Sequence, residues 1–424
     1  MKKLSFQYPR LLPLWVAVFV DILGFSIILP FLPFFMQEFN SSPIIIGFLL
    51  SSNAIFAFFF GPILGKLSDK YGRKPLLLIS QAGTIAGFII LAFSQNIQML
   101  FIARIVDGIF GGQFPISKAV IGDVVPPHER PKQMTNIGIT FTLAFLIGPA
   151  MGGFLAPFGI MGPGIVSSIL ASFTFIFTAI YLKESLPIKV MNIQQTTIET
   201  GFALTEKPLK DLFNQVEMQR SSIWKNRQTL IILIQYSFLA VAAGVFQTTF
   251  SLFGNIRLNL NAQIIGLLLS SMGVFQVVFR AFFFNKIRIY LGDAKTAMLG
   301  LGSYIIAYFL LGVVAEIWHL VILLFYISFC GATSRGITIG FVSRSVDFRN
   351  QGKIMGISSS IDNLSQIIGP ILGGFLLAFP NTYLFGITLS FMSILPFFLS
   401  FRVLKFGFDS KKPFLAPQIK HVSP

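Results

Sequence analysis

Residues 130–156 read RPKQMTNIGITFTLAFLIGPAMGGFLA, and residues 350–378 read NQGKIMGISSSIDNLSQIIGPILGGFLLA. The two GPxxGG strings begin at Gly148 and Gly369, 221 positions apart, and Lys132 with Lys353 and Met134 with Met355 keep the same shift. One such string could arise by chance. Two in register with the segments before them mark a chain built of two homologous halves.

The composition around these strings names the solvent. Of 424 residues, 54% are apolar and 11% charged, against about 25% charged in an ordinary soluble domain, which excludes a water-soluble globular fold. At ~20 apolar residues per crossing of a bilayer core, the chain supplies about a dozen helices. Apolar runs fall at 12–34, 44–64, 76–94, 98–121, 135–156, 162–182, 229–253, 263–284, 296–315, 318–341, 354–379 and 383–403. The predicted fold is therefore all-α and integral to the membrane, with twelve transmembrane helices in two pseudo-symmetric bundles of six. Parallel repeats of this kind form rocking transporters, with the substrate site between the halves near mid-bilayer.

The charge balance, 32 Lys and Arg against 16 Asp and Glu for a net +16, would suggest nucleic acid in a soluble protein. Here the basic residues sit in alternate gaps between apolar runs, as the positive-inside bias predicts, so no nucleic-acid partner is expected. Only Arg257 falls in a loop of the other set. Both termini then lie in the cytoplasm. The run after MKKLSFQYPR continues too far for a signal peptide and reads as the first crossing. Cys330 is the only cysteine, and His128, His319 and His421 are far apart, so neither a disulfide framework nor a metal motif is expected. The predicted organisation is a bundle over 1–185, an inter-half loop over 186–228, a second bundle over 229–404 and a cytoplasmic tail over 405–424. Within the loop, Leu209, Leu212, Phe213 and Val216 recur at helical spacing, which reads either as an amphipathic helix on the membrane surface or as a flexible polar linker.

The gap between the second and third runs reads GKLSDKYGRKP. Gly65 is expected to allow close helix approach, Asp69 to end a helix, Gly72 to permit a tight reversal, and Arg73 to stay on the cytoplasmic face. At this point the chain resembles the major facilitator superfamily, whose signature loop it matches almost position for position. LFIARIVDGIFGG in the fourth run is similar to the family's RxxqG pattern, with Arg104 and Gly108 retained and Asp107 where glutamine is usual. IGDVVPPHER resembles the acid, proline and arginine of that cytoplasmic turn, here Asp123, Pro126 and Arg130. AFLIGPAMGG is similar to the antiporter motif, with Gly148, Pro149, Gly152 and Gly153 kept and Ala144 replacing its first glycine. DILGFSIILPFLP looks most like the drug/proton antiporters of the tetracycline-efflux type. Proline removes a helix donor and the glycines admit a close neighbour, so the motif reads as a seal or bend, or as packing inherited by both halves.

An ionisable group at mid-bilayer costs at least ~2.5 kcal/mol and faces a cavity or a partner. Asp21, Asp107 and Asp362 are the acids well inside apolar runs. A carboxylic acid out of water holds its proton more tightly, the property proton coupling needs, and the resemblance implies that role for Asp21. Arg104 and Asp107, three residues apart, either neutralise each other on one helix face or tune Asp21, with Asp107 facing the cavity as a second titrating or cation-recognising group. Asp362, whose counterpart under the 221-residue shift is Phe141, either lines the cavity or pairs with Arg335 or Arg280. Lys118 and Arg280 are placed to snorkel toward headgroups, while the deeper Arg335 could hold an anionic substrate.

The resemblance implies a proton-coupled exporter of a small amphipathic, drug-like compound, with Asp69, Arg73 and Asp123 holding a cytoplasmic gate. Its partners are then a small-molecule substrate, protons and the lipid bilayer. It is expected to be a monomer in a prokaryotic inner membrane, without a cofactor, driven by the proton gradient. The rival expectations are an importer or exchanger of a small anionic metabolite, suggested by Arg335 and Lys118, and a transporter-like sensor. No enzymatic constellation stands out, because the GPxxGG strings lie inside apolar runs and lack a phosphate-loop lysine.

Overall fold

The computed structural model describes residues 11–126, 129–186, 226–346 and 350–406, without the side chains of 130–132 and 134–138. The helix expected around Leu209 and the tail beyond 406 lie outside the described residues. So does the side chain of Arg130.

Every described regular element is helical. The first crossing is α1 (Leu12–Ile28) and α2 (Leu32–Glu38), interrupted beside Pro30, followed by α3 (Pro43–Tyr71) and α4 (Arg73–Ala92). The fourth crossing is likewise split into α5 (Ile97–Ile109) and α6 (Gln113–Val124), and α7 (Arg130–Leu155) and α8 (Met161–Tyr181) complete the first half. The second half comprises α9 (Arg227–Leu258), α10 (Ala262–Phe279) continued through a π-turn into α11 (Asn285–Leu291), α12 (Asp293–Val313), α13 (Ile317–Arg344), α14 (Gln351–Leu377) and α15 (Tyr383–Lys405). Among the described residues, eleven stretches are long and apolar enough to cross a membrane. The remaining one, α14, has the length but carries the polar run SSSIDNLSQ.

The helices begin and end where local chemistry dictates. Uncharged turns supply N-caps: Asn96 accepts from Met99 N–H and Asn261 from Ile264 N–H, each at 2.9 Å, satisfying donors that an open first turn would leave free. At the basic end, Gly72 and Gly292 adopt φ of +104° and +80°, a region that favours glycine, so α3 reverses into α4 as α11 reverses into α12. The lone cation of the uncharged end is accounted for locally. Arg257 donates to the Val314 carbonyl at 2.8 Å and lies over the Tyr383 ring. Large apolar side chains such as Phe59, Ile169 and Phe391 stand outward, more than 60% exposed, a surface suited to hydrocarbon rather than water.

The packing repeats as the duplication predicts. Helix α1 packs on α7 as α9 packs on α14, α4 on α8 as α12 on α15, and α3 on α5 as α10 on α13. The halves meet chiefly along two equivalent seams, α3 with α14 and α7 with α10. Both seams lie toward the uncharged end, and both are made by the duplicated string. A Cβ on Gly47 or Gly266 would strike the carbonyl of Pro370 or Pro149, and one on Gly374 would strike that of Pro43. Gly148 and Gly152 instead face α1 within their own half, against Ser26 and against Ile27 and Phe31. The close approach expected at Gly65 is absent: a Cβ there meets nothing within 4 Å. Gly65 stands at the basic end, away from both seams.

Candidate functional site

The bend at 110–112 makes Gln113 the first residue of α6. Its buried amide donates to Asp21 Oδ1 at 2.8 Å and to Thr84 Oγ1 at 3.2 Å. Thr84 also faces Asp107. Asp107 Oδ2 in turn accepts from Asn53 Nδ2 at 2.8 Å and stands 3.5 Å from Arg104 Nη1. A continuous run of polar groups therefore links Asp21 to Arg104 through the interior of the first half, drawing on α1, α3, α4, α5 and α6. Asp21 borders a small pocket with Gln81 and Thr174. Arg104 is 1% exposed, and its three guanidinium nitrogens lack hydrogen-bond partners, with the Phe88 ring nearby. A buried cation so poorly bonded depends on its neighbouring carboxylate, so the expected pairing with Asp107 is present, as a 3.5 Å ion pair.

Sequence reading missed Gln113, Thr84 and Asn53. They are uncharged, so the cost of a charge in lipid does not mark them. The available signal was an amide or hydroxyl inside an apolar run, as in FGGQFP, which becomes informative only once these five helices are known to converge.

At the basic end, Arg73 is 7% exposed and held by two acids: Nη1 lies 2.6 Å from Asp69 Oδ1, and Nε donates to Asp123 Oδ2 at 2.9 Å. A cation in the first turn of α4 opposes the helix dipole. Glu184 offsets this by accepting from the backbone N–H groups of Arg73 and Lys74 at 2.9 and 3.0 Å. The residues expected at the gate are thus brought together, all within one half. The second half carries the equivalent arrangement with signs reversed: buried Asp293 opens α12 and accepts from Arg288 at 2.5 Å and from Arg344 at 2.8 Å.

A second polar cluster lies within the second half, drawn from α9, α13 and α14. Asp362 on α14 accepts from Tyr236 Oη, at 2.8 and 2.9 Å to its two oxygens, and from Arg335 Nη2 at 3.3 Å. The Arg335 and Asp362 side chains keep 49% and 33% of their surface open although each lies about 14 Å or more from its helix end at 1.5 Å per residue, so they face a crevice. Of the partners considered for Asp362, the ion pair made is with Arg335. Lys118 departs from expectation. Instead of snorkelling outward, its Nζ crosses between the halves to donate to Ser359 Oγ at 3.2 Å. Its short stretch of α6 faces the other half, which offers a polar acceptor.

The Major Facilitator Superfamily model matches residues 14–287 and 255–416. Tetracycline resistance protein, class H, of Pasteurella multocida is 29% identical over 371 residues, covering 87% of this chain and 89% of the relative. Multidrug resistance protein 2 of Bacillus subtilis (strain 168) is 26% identical, covering 85% and 86%. Among solved structures, the human organic anion transporter MFSD10 superimposes with a TM-score of 0.65 at 20% identity, over 93% of this chain and 100% of that one, a likeness of fold. The duplicated halves, the seams built by their shared motif and the family match over nearly the whole length agree: the chain belongs to the Major Facilitator Superfamily.

Proposed function

We propose that the protein exports a small amphipathic, drug-like compound in exchange for protons by alternating access. The observation that carries this reading is the buried polar run from Asp21 to Arg104. Two carboxylates inside one helical bundle, joined through Gln113 and Thr84, provide a place to take up and release a proton away from the substrate crevice. Similarity to tetracycline and multidrug resistance proteins supports the drug-like cargo and the outward direction. The basic end is then cytoplasmic, with both termini there, in a bacterial inner membrane. The protein works as a monomer, and the proton gradient replaces any cofactor.

Asp21 carries the proton, and Arg104 and Asp107 set how readily it is released. The halves are joined near the uncharged end, so the state described is open toward the cytoplasm. Closing that side brings the net-negative group Asp69, Arg73 and Asp123 toward the net-positive group Arg288, Asp293 and Arg344, an attraction that serves as the gate. The prolines and glycines from Gly148 to Gly153 and their second copy close the opposite side. One charge crossing the membrane is worth ~2.3 kcal/mol per 100 mV, so one or two protons support appreciable accumulation.

The test is a substrate panel in energised inside-out vesicles, reading proton release as each compound is added. The expected result is release coupled to uptake of at least one resistance-type drug, abolished by Asp21→Asn. Unchanged proton-driven uptake in that variant would remove Asp21 as the carrier.

A further inference from the structure

We propose, building on the exporter reading, that the crevice holds its cargo in one orientation, a planar apolar body on the α7 wall and an acidic group between Lys118 and Arg335, so that the compound carried is an aromatic acid. Helices α7 and α14 occupy equivalent places but present different chemistry. Under the 221-residue shift, Phe141, Thr142 and Phe145 correspond to Asp362, Asn363 and Gln366, and Phe114 corresponds to Arg335. The Phe141 and Phe145 rings stack with centroids 4.7 Å apart, and Phe145 meets Phe25 of α1 edge-on. Phe141 holds on α7 the place that Asp362, open to the crevice, holds on α14. Its 40% exposure therefore opens into the crevice, whereas Phe154, 69% exposed, marks the outer side of the same helix.

The polar side of the crevice carries an excess of positive charge, with Lys118 coming from α6 of the first half and Arg335 and Arg280 from the second half. Lys118 Nζ lies 4.1 Å from the Phe114 ring centroid, and its hydrogen bond goes to a neutral hydroxyl. Arg280 Nη2 reaches within 3.4 Å of the Cβ position of Gly336, the residue after Arg335. Against Lys118, Arg335 and Arg280 stands Asp362, already engaged by Arg335 and Tyr236, and it is the carboxylate near enough to act on Lys118. An ammonium partly out of water with no counter-ion of its own favours a ligand that brings one. A cationic cargo would meet like charge there.

The test is equilibrium binding of 2-naphthoate, 2-naphthamide and 2-naphthylmethylammonium to the full-length protein in lipid nanodiscs, without a proton gradient. Wild type should bind the acid about tenfold more tightly than the amide, the scale of one charged hydrogen bond, and the ammonium most weakly. Lys118→Gln or Arg335→Gln should remove most of the acid-to-amide preference while leaving amide affinity intact, which also shows that the variants are folded. Phe141→Ala should weaken acid and amide alike. Equal affinity for acid and amide, binding of neither, or a preference that survives both Lys118→Gln and Arg335→Gln overturns the proposal. Acid-selective binding with no proton-driven transport in vesicles supports it and breaks the exchange reading alone.

Discussion

The two halves share a backbone plan and differ in where they keep their charge. In the first half, Asp21, Arg104 and Asp107 lie within the bundle, joined by Gln113 and Thr84. In the second, Arg335 and Asp362 open onto the crevice with Tyr236 behind them. At the basic end the contrast is one of sign: Arg73 sits between Asp69 and Asp123, and Asp293 between Arg288 and Arg344. Duplication preserves what the backbone requires, the reversals at Gly72 and Gly292 and the close seams of the GPxxGG strings, because there only small residues or positive φ fit. Side-chain chemistry was free to diverge wherever a crevice or a partner could satisfy it.

The sharpest way to break this division is to neutralise one carboxylate in each half. Asp21→Asn is expected to reduce proton-driven accumulation in inside-out vesicles to background, whereas Asp362→Asn keeps coupling and changes the KM for substrate. Equal loss of coupling in both would show that the halves do not divide the work. Next in size, Arg73→Asp places a third acid between Asp69 and Asp123 and should lower stability by about 3 kcal/mol, the scale of breaking a largely buried pair. Thermal unfolding in nanodiscs reads this, and Asp293→Arg should mirror it by setting three arginines together.

The two seams provide a finer comparison. A methyl on Gly374 would strike the Pro43 carbonyl, while one on Gly153 would stand 3.3 Å from the Gln263 carbonyl. Gly374→Ala is therefore expected to slow transport about tenfold, an overpacking effect of 1–3 kcal/mol, and Gly153→Ala severalfold less. Transport rates that rank the other way would deny the seam its part in closure. The smallest effect is expected for Gln113→Leu, which cuts the link between Asp21 and Thr84 but leaves every charge in place. It should alter the pH profile of transport more than its maximum rate, and an unchanged profile would reduce the polar run to packing.

The duplication was legible because two GPxxGG strings keep one spacing. The crossings were legible because apolar runs of bilayer length stand between basic and uncharged gaps. Most observed helix ends fall within about five residues of those runs, while α3 and α11 continue further into the basic end, to Tyr71 and Leu291. The interruptions at Leu29–Phe31 and Phe110–Gly112 were not foreseen, since proline and glycine inside an apolar run permit a break without requiring one. The ionisable members of the candidate site, Asp21, Arg104, Asp107, Arg335 and Asp362, declared themselves by what a charge costs in lipid. Gln113, Thr84, Asn53 and Tyr236 did not, because a neutral polar group in a transmembrane helix is ordinary until its partner is known.

Read alone, the chain specified its solvent, its duplication, its crossings and the short list of charges that need a reason, since each follows from local composition or spacing. Only the folded arrangement decided that Lys118 turns inward to Ser359, that Gly65 has no close neighbour, and that Arg335 and Asp362 open onto the crevice while Arg104 and Asp107 are buried inside their half. Those outcomes depend on which helices meet and at what depth, and contacts between residues hundreds of positions apart leave no mark in the periodicity of either segment.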